Sequence, residues 1–233
     1  VYSSSSNGEI FPIIMESNII LSGSDMVSTI IDAEYSEKVM ALSFINNSII
    51  GDLTITGGYT PQNGAGISMD SSYPVAIKNV IIRNNQALFF GGGLFISNSI
   101  ATINSVYIVN NNSDSRAGGV YIHGSDINIT KSTISYNTSN IYNAIYLQGS
   151  DLFMVNSIVW GESESLIGSL GSVSNIIYNN IKGGWEGEGN INVHPLFTDP
   201  GNGDYTLQED SPCIDTGTAD TDGDAYDDIT EYC

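Results

Sequence analysis

A spacing of about 26 residues between like positions constrains this chain more than any other feature. In the column Ile55, Ile82, Ile108, Ile134, Val159 the steps are 27, 26, 26 and 25, and the same steps return in other columns. Leu53, Val80, Val106, Ser132 and Ser157 form one such column, and Ile50, Ile77, Ile103, Ile129 and Met154 form another. A second segment carries Ile67, Leu94, Val120 and Ile145 two residues ahead of Met69, Ile96, Ile122 and Leu147. Apolar columns separated by one residue mark a strand with one buried face. Each repeat therefore holds at least two short strands and their turns, too little to enclose a core alone, so the repeats must stack and share one. Asn85, Asn111 and Asn137 also recur 26 apart. That spacing puts their amides one above another at about 4.8 Å per rung and predicts a hydrogen-bonded ladder. Ahead of the second strand, Gly66, Gly93, Gly119 and Ala144 keep a tight corner small.

Composition agrees with an all-β stack. At 41% hydrophobic and 14% charged residues the chain can bury a sizeable core, while Gly, Ser and Asn take the place of charges and favour turns and strands over helices. Six Lys and Arg against 26 Asp and Glu give 6 − 26 = −20. That charge makes nucleic acid, anionic membrane and polyanionic substrates poor partners, because each needs clustered cations. The longest nearly apolar run, Ala87 to Ile96, is ten residues with three glycines. It is well short of the roughly 18 to 20 that a membrane span needs. The chain opens at Val1 without Met or a charged leader, which reads as a processed form or a fragment.

The repeat, the Asn ladder and the coil length resemble the right-handed parallel β-helix of the pectin-lyase-like superfamily. That resemblance implies an all-β solenoid over residues 1–182 with coils of about 25 to 27 residues, and makes Val1 to Ile13 the first coil after the usual N-terminal cap. A solenoid without that cap exposes strand edges, which invites stacking on another subunit. Residues 183–233 differ, with 13 acidic residues and no Lys or Arg. The words Gly183-Gly184-Trp185, Pro195-Leu196-Phe197-Thr198-Asp199-Pro200 and Ser211-Pro212-Cys213-Ile214-Asp215 resemble the C-terminal ends of secreted and cell-surface β-helix proteins of prokaryotes. His194 stands where that group usually has Asp.

The sharpest chemical motif lies in this tail. Asp220, Asp222 and Asp224 occupy positions 1, 3 and 5 of a twelve-residue loop, Tyr226 offers its carbonyl at 7, Asp228 sits at 9 and Glu231 at 12. Hard oxygens at that spacing suit calcium. Ala225 takes the place of the expected Gly at position 6, at a cost of about 1 kcal/mol. The run is similar to the thrombospondin type 3 calcium repeats, and the competing reading is an acidic disordered linker. Cys213 and Cys233 bracket it, as one disulfide of an oxidising compartment or as two free thiols.

Two weaker constellations lie on the repeats. Gly124-Ser125-Asp126 and Gly149-Ser150-Asp151 are 25 apart, preceded by His123 and Gln148. Asp126 and Asp151 one rung apart would approach the carboxyl separation of retaining glycosidases, with His123 beside them, although Gly-Ser-Asp is also ordinary turn vocabulary. The outward column Phe95, Tyr121, Tyr146 is either a surface for stacking sugar rings or a stack of aromatics that stabilises the sheet. The outward column Thr54, Ile81, Tyr107, Thr133, Ile158 is likewise more apolar than a free surface requires, unless a loop covers it. The Lys and Arg residues are scattered, so no cationic cleft for a uronate polymer is predicted. Taken together, the sequence predicts a non-catalytic secreted or cell-surface structural protein, an adhesin or fibre subunit with a calcium-stabilised C-terminus. Its expected partners are other copies of itself or a cell-surface glycan. The alternative is a polysaccharide-binding or polysaccharide-degrading β-helix protein.

Overall fold

A computed structural model describes residues 1–219, and there the repeat becomes a parallel β-solenoid of about seven turns. The largest sheet stacks Tyr2–Ser3, Ile30–Asp32, Ser48–Thr56, Val75–Arg83, Ile100–Val109, Asp126–Thr130, Asp151–Val155 and Val173–Ile177 in that order. A second sheet stacks Ile13–Ile14, Met40–Ser43, Ile67–Asp70, Leu94–Ser97, Val120–His123, Ile145–Gln148 and Ile167–Leu170. Tyr59–Thr60, Gln86–Ala87 and Asn112–Ser113 form a short third sheet between them.

The apolar columns are the ladders of these sheets. Ile55 pairs with Ile82, Ile82 with Ile108, Ile108 with Ile134 and Ile134 with Val159, all parallel. Leu94 faces Val120 and Ile96 faces Ile122 in the same register across the second sheet. The two sheets turn these residues towards one another, and the columns are fully buried in one continuous core. Each such aliphatic side chain contributes about 1.5–3 kcal/mol by leaving water. The stack extends beyond the repeats of constant spacing: Met40 pairs with Ile67 towards the N-terminus, and Ile145 with Ile167, only 22 residues on, towards the other end.

Three corners turn each coil, and all use the same device: a residue in the left-handed region followed by one that points inward. At the bend within the large sheet the left-handed residues are Asp52, Asn79, Ser105, Lys131 and Asn156, with φ from 49° to 56°. Asn84 and Asn110 precede the predicted Asn ladder, and Asn98, Gly124 and Gly149 precede a serine column. Asn tolerates this region better than other side chains, one reason the chain is so rich in it.

The Asn ladder forms as expected. The backbone N of Asn85 donates to Asn111 Oδ1 at 3.1 Å and that of Asn111 to Asn137 Oδ1 at 2.9 Å, while the Asn85 and Asn111 Nδ2 atoms donate to the same oxygens at 2.9 and 3.0 Å. A second ladder was not anticipated. The backbone N of Ser72, Ser99, Ser125 and Ser150 each donates to the hydroxyl of the serine one coil on, Ser99, Ser125, Ser150 and Ser172, at 3.0 to 3.2 Å. At the third corner Val106 N, Ser132 N and Ser157 N find Ser132 Oγ, Ser157 Oγ and Asn179 Oδ1 in the same way. Where the coil turns and the sheet ladder breaks, the side chain below replaces the missing backbone acceptor. The small corner residues have a steric reason. A Cβ on Gly66 would lie 2.5 Å from the Gly93 carbonyl oxygen, and one on Gly119 2.4 Å from that of Ala144.

The last regular strand is Asn180–Ile181. Trp185 then packs against the end of the core. Phe197–Asp199 and Asp204–Leu207 form an antiparallel hairpin that lies on the flank of the solenoid. Its Phe197 and Tyr205 bury themselves against Val109 and Trp160, with Tyr107, Tyr136 and Ile158 around them. The outward column containing Tyr107 and Ile158 is apolar because the chain's own hairpin covers it. Nearer the N-terminus the Thr54 hydroxyl donates to the Met26 carbonyl at 2.6 Å, so another loop covers that end.

Candidate functional site

Asp126 and Asp151 are direct neighbours on adjacent rungs, at the first position after the serine corner. The left-handed Gly124 and Gly149 turn the chain, the inward Ser125 and Ser150 fasten it, and the next side chain projects outward. Both carboxylates are exposed at the floor of an open groove, beside Tyr73 and Ile100. Like charges one rung apart repel by roughly 1 kcal/mol in water. No cation offsets this, since the one ion pair among the described residues joins Lys182 to Glu164 at 3.8 Å. His123 sits across the corner on the second sheet, half-buried and paired in register with Gln148. The groove therefore brings the two carboxylates together in water, with a tyrosine and an isoleucine beside them.

The aromatic column is a packed cluster. Tyr121 is 4% exposed and Tyr146 8%. The Tyr121 ring stacks on Phe95 at 5.6 Å, on Tyr146 at 5.4 Å and on Phe90 at 4.5 Å. Phe90 and Tyr142 reach it from the loops ahead of the strands, and the Arg116 guanidinium lies 5.8 Å from Phe90 and 5.4 Å from Tyr146. The Tyr121 hydroxyl donates to Gln148 Oε1 at 2.6 Å. Burial raises the Tyr121 phenol above its ordinary value, an effect the nearby Tyr146 reinforces and Arg116 opposes. With their faces against other rings, Tyr121 and Tyr146 act in the stack that holds successive coils together, and Phe95 alone of the three is partly open.

Among the described residues no three His, Cys, Asp or Glu side chains converge to hold a metal ion. The calcium-type ligands Asp220, Asp222, Asp224, Tyr226, Asp228 and Glu231 lie outside the described residues, as does Cys233. The chain leading to them is anchored: Asn156 accepts from Thr218 N at 2.8 Å and donates to its carbonyl at 2.7 Å. Cys213 is half-buried, its Sγ 2.9 Å from Asn180 Nδ2.

One feature that spacing alone did not single out is a cleft between the hairpin turn and the coil at Arg83. Its walls come from residues about 120 positions apart, which only the docking of the hairpin brings together. No family model matches the chain, and no curated protein or solved structure matches it. Among the described residues no helix is long and apolar enough to cross a membrane.

Proposed function

We propose that this chain is a structural, non-catalytic module of a secreted or cell-surface protein of the pectin-lyase-like type, which associates end to end with copies of itself and is stabilised by calcium at the loop from Asp220 to Glu231. The observation that carries this reading is the state of the sheet edges. At one end Ile13–Ile14 and Ile20–Ser22 lie on the outside of their sheets, with Ile14 67% and Ile20 68% exposed. At the other end Ile167–Leu170 and Val173–Ile177 are the outermost strands, with Leu170 58% and Val173 71% exposed, and the segment after them covers part of this end, where Asn190 Nδ2 donates to Ile176 O at 2.7 Å and Trp185 packs on the core. Neither of these last strands carries a charge. Globular proteins blunt their edges with charges, prolines or covering loops, and uncharged open edges favour pairing with another chain. Two different ends meeting head to tail form a contact that does not close, hence a filament.

Negative-stain electron microscopy and sedimentation velocity, each in calcium and in chelator, test the proposal. Rods that lengthen with concentration support it, and a dispersed single species at every concentration removes it. A second reading, a glycan lying in the groove of Tyr73, Asp126 and Asp151, rests on the two carboxylates held side by side there. Retention on immobilised polysaccharide that is lost in the D126N/D151N variant would favour it.

A further inference from the structure

Arg83 ends the strand Val75–Arg83, and its guanidinium lies beneath the turn of the C-terminal hairpin. Arg83 is half-buried, and its Nε atom is buried with no hydrogen-bond partner among the described residues. No carboxylate lies within ion-pair distance among the described residues, although acids outnumber cations 26 to 6 in the chain. The acids of the hairpin are engaged otherwise: Asp199 accepts from Asn202 Nδ2 at 2.7 Å, and Asp204 from Thr206 N at 3.0 Å and Thr206 Oγ1 at 2.6 Å. A buried N–H without an acceptor is costly, and a guanidinium with no counter-charge beside it favours an anionic occupant.

The cleft that Arg83 enters has a volume of about 250 Å³. Its polar wall presents Asn84, Asn110 and Tyr205, and its rim is the Gly201–Gly203 turn. Asn110 Nδ2 donates to the Tyr205 hydroxyl at 3.0 Å, which leaves the Tyr205 proton available to the cleft. At the rim Gly203 has φ +86°, and a Cβ there would stand 3.6 Å from an Arg83 terminal nitrogen. The absence of a side chain keeps the mouth open above the guanidinium. The donors gathered here have no anionic acceptor among the described residues, and the space exceeds that of a single water.

We propose that this cleft binds one small oxyanion, a carboxylate or a tetrahedral group such as sulfate, with Arg83 as its charged anchor and the Tyr205 hydroxyl and Asn84 amide as further donors. The planar guanidinium matches two oxygens of such a group at once. The proposal goes beyond the structural role and stands independently of it, since it needs neither calcium nor assembly. The anion can be free in solution or be the carboxylate of a sugar acid, and the two sources share this chemistry.

The chain has only two arginines, Arg83 and Arg116, so its Nε–Hε nuclear magnetic resonance spectrum contains two arginine signals. Sodium acetate, sodium sulfate and sodium glucuronate are titrated separately into the full chain at constant ionic strength, and R116K assigns the signals. The Arg83 signal is expected to move saturably, with a dissociation constant of about 1 mM or below, while the Arg116 signal, held over its aromatic rings, stays in place. Tighter binding of glucuronate than of acetate and sulfate assigns the site to a sugar acid, and equal binding assigns it to the free anion. R83K keeps the charge but loses the fork, and calorimetry is expected to register about tenfold weaker binding or more. Unsaturable drift of both signals alike, or no movement of the Arg83 signal with any of the three salts, overturns the proposal. These outcomes are read on the unmodified Arg83, so they stand even if an Arg83 variant fails to fold.

Discussion

Single side chains decide how each coil attaches to the next. Asn111 is fully buried: it accepts from Asn85 N and Nδ2, and its own Nδ2 donates to Ile82 O at 2.9 Å and to Asn137 Oδ1. Asn111→Ala leaves the buried backbone N–H of Asn85 without its acceptor, while Asn85 Nδ2 keeps Arg83 O at 3.0 Å and Ile55 O at 3.3 Å, and a loss of about 2–3 kcal/mol is expected in chemical denaturation. Asn112, one residue on, places its amide on the surface with Thr138 Oγ1 at 2.8 Å, and its replacement by alanine is expected to cost less than about 1 kcal/mol. Equal losses at the two positions would refute the ladder as a source of stability. The buried phenols give the second test. Tyr107, Tyr121 and Tyr205 are raised above the ordinary tyrosine value, in each case chiefly because burial disfavours the phenolate. A raised value in the folded state means the unfolded chain loses its proton first. The stability these groups contribute is whole below about pH 10 and declines as pH rises through their folded values. Phenolate absorbance should show these three titrating last, together with unfolding. Y121F should lose less stability between neutral and alkaline pH than the unsubstituted chain.

At the scale of elements, the hairpin is the part of the fold most separable from the rest. Among the described residues its strands pair only with each other, and it is held on the solenoid by the cluster of Phe197 and Tyr205 with Val109 and Trp160 and by the Asn110–Tyr205 hydrogen bond. Phe197→Ala removes most of one side of that cluster, at a cost of about 3–5 kcal/mol to hairpin docking. The coils, which do not depend on it for backbone pairing, should remain. Trp160 fluorescence is expected to shift to the red while strand content by circular dichroism stays constant, with a W185F background isolating the Trp160 signal. Loss of strand content in the same variant would make the hairpin part of the folding unit. The hairpin also forms one wall of the Arg83 cleft, so Phe197→Ala should abolish oxyanion binding there.

The whole molecule is a short stack in which each coil rests mainly on its two neighbours, so its ends differ from its middle. Leu170→Lys places a charge on an uncharged outermost strand without touching the core, since Leu170 is already 58% exposed. It is expected to shorten or abolish the proposed filaments while leaving the melting temperature within about 2 °C, because surface substitutions of this kind change stability by less than about 0.5 kcal/mol. Filaments of unchanged length would place the contact elsewhere. Chelation of calcium is expected to lower the melting temperature without altering strand content at room temperature. Binding at a hundred times the dissociation constant stabilises by about 2.7 kcal/mol. An unchanged melting curve in chelator would remove the calcium claim.

By itself the sequence determined the stack: Ile55, Ile82, Ile108, Ile134 and Val159 had one solution as a ladder, because a period-2 pattern recurring every 26 residues buries its apolar face only when coils lie in register. The Asn ladder was legible for the same reason. The serine ladder was not, since serine is common throughout this chain and its inward orientation follows from the left-handed residue before it. The early and late coils followed from the family resemblance and not from the spacing, because loops of other lengths change it to 22 at Ile167 and to 29 between Ile20 and Ile49. Only the tertiary structure decided which outward columns are surface. Tyr107 and Tyr121 read alike along the chain as projecting aromatics. One is covered by a hairpin contributed from beyond residue 196, and the other by Phe90 and Tyr142 from its own loops. Local spacing tells a side chain which face of its sheet to take, and long-range docking settles what that face meets. Arg83 belongs to this second kind of fact: an ordinary strand-terminal residue in the sequence, it has a buried Nε with no partner among the described residues and lines a cleft only because the hairpin lies over it.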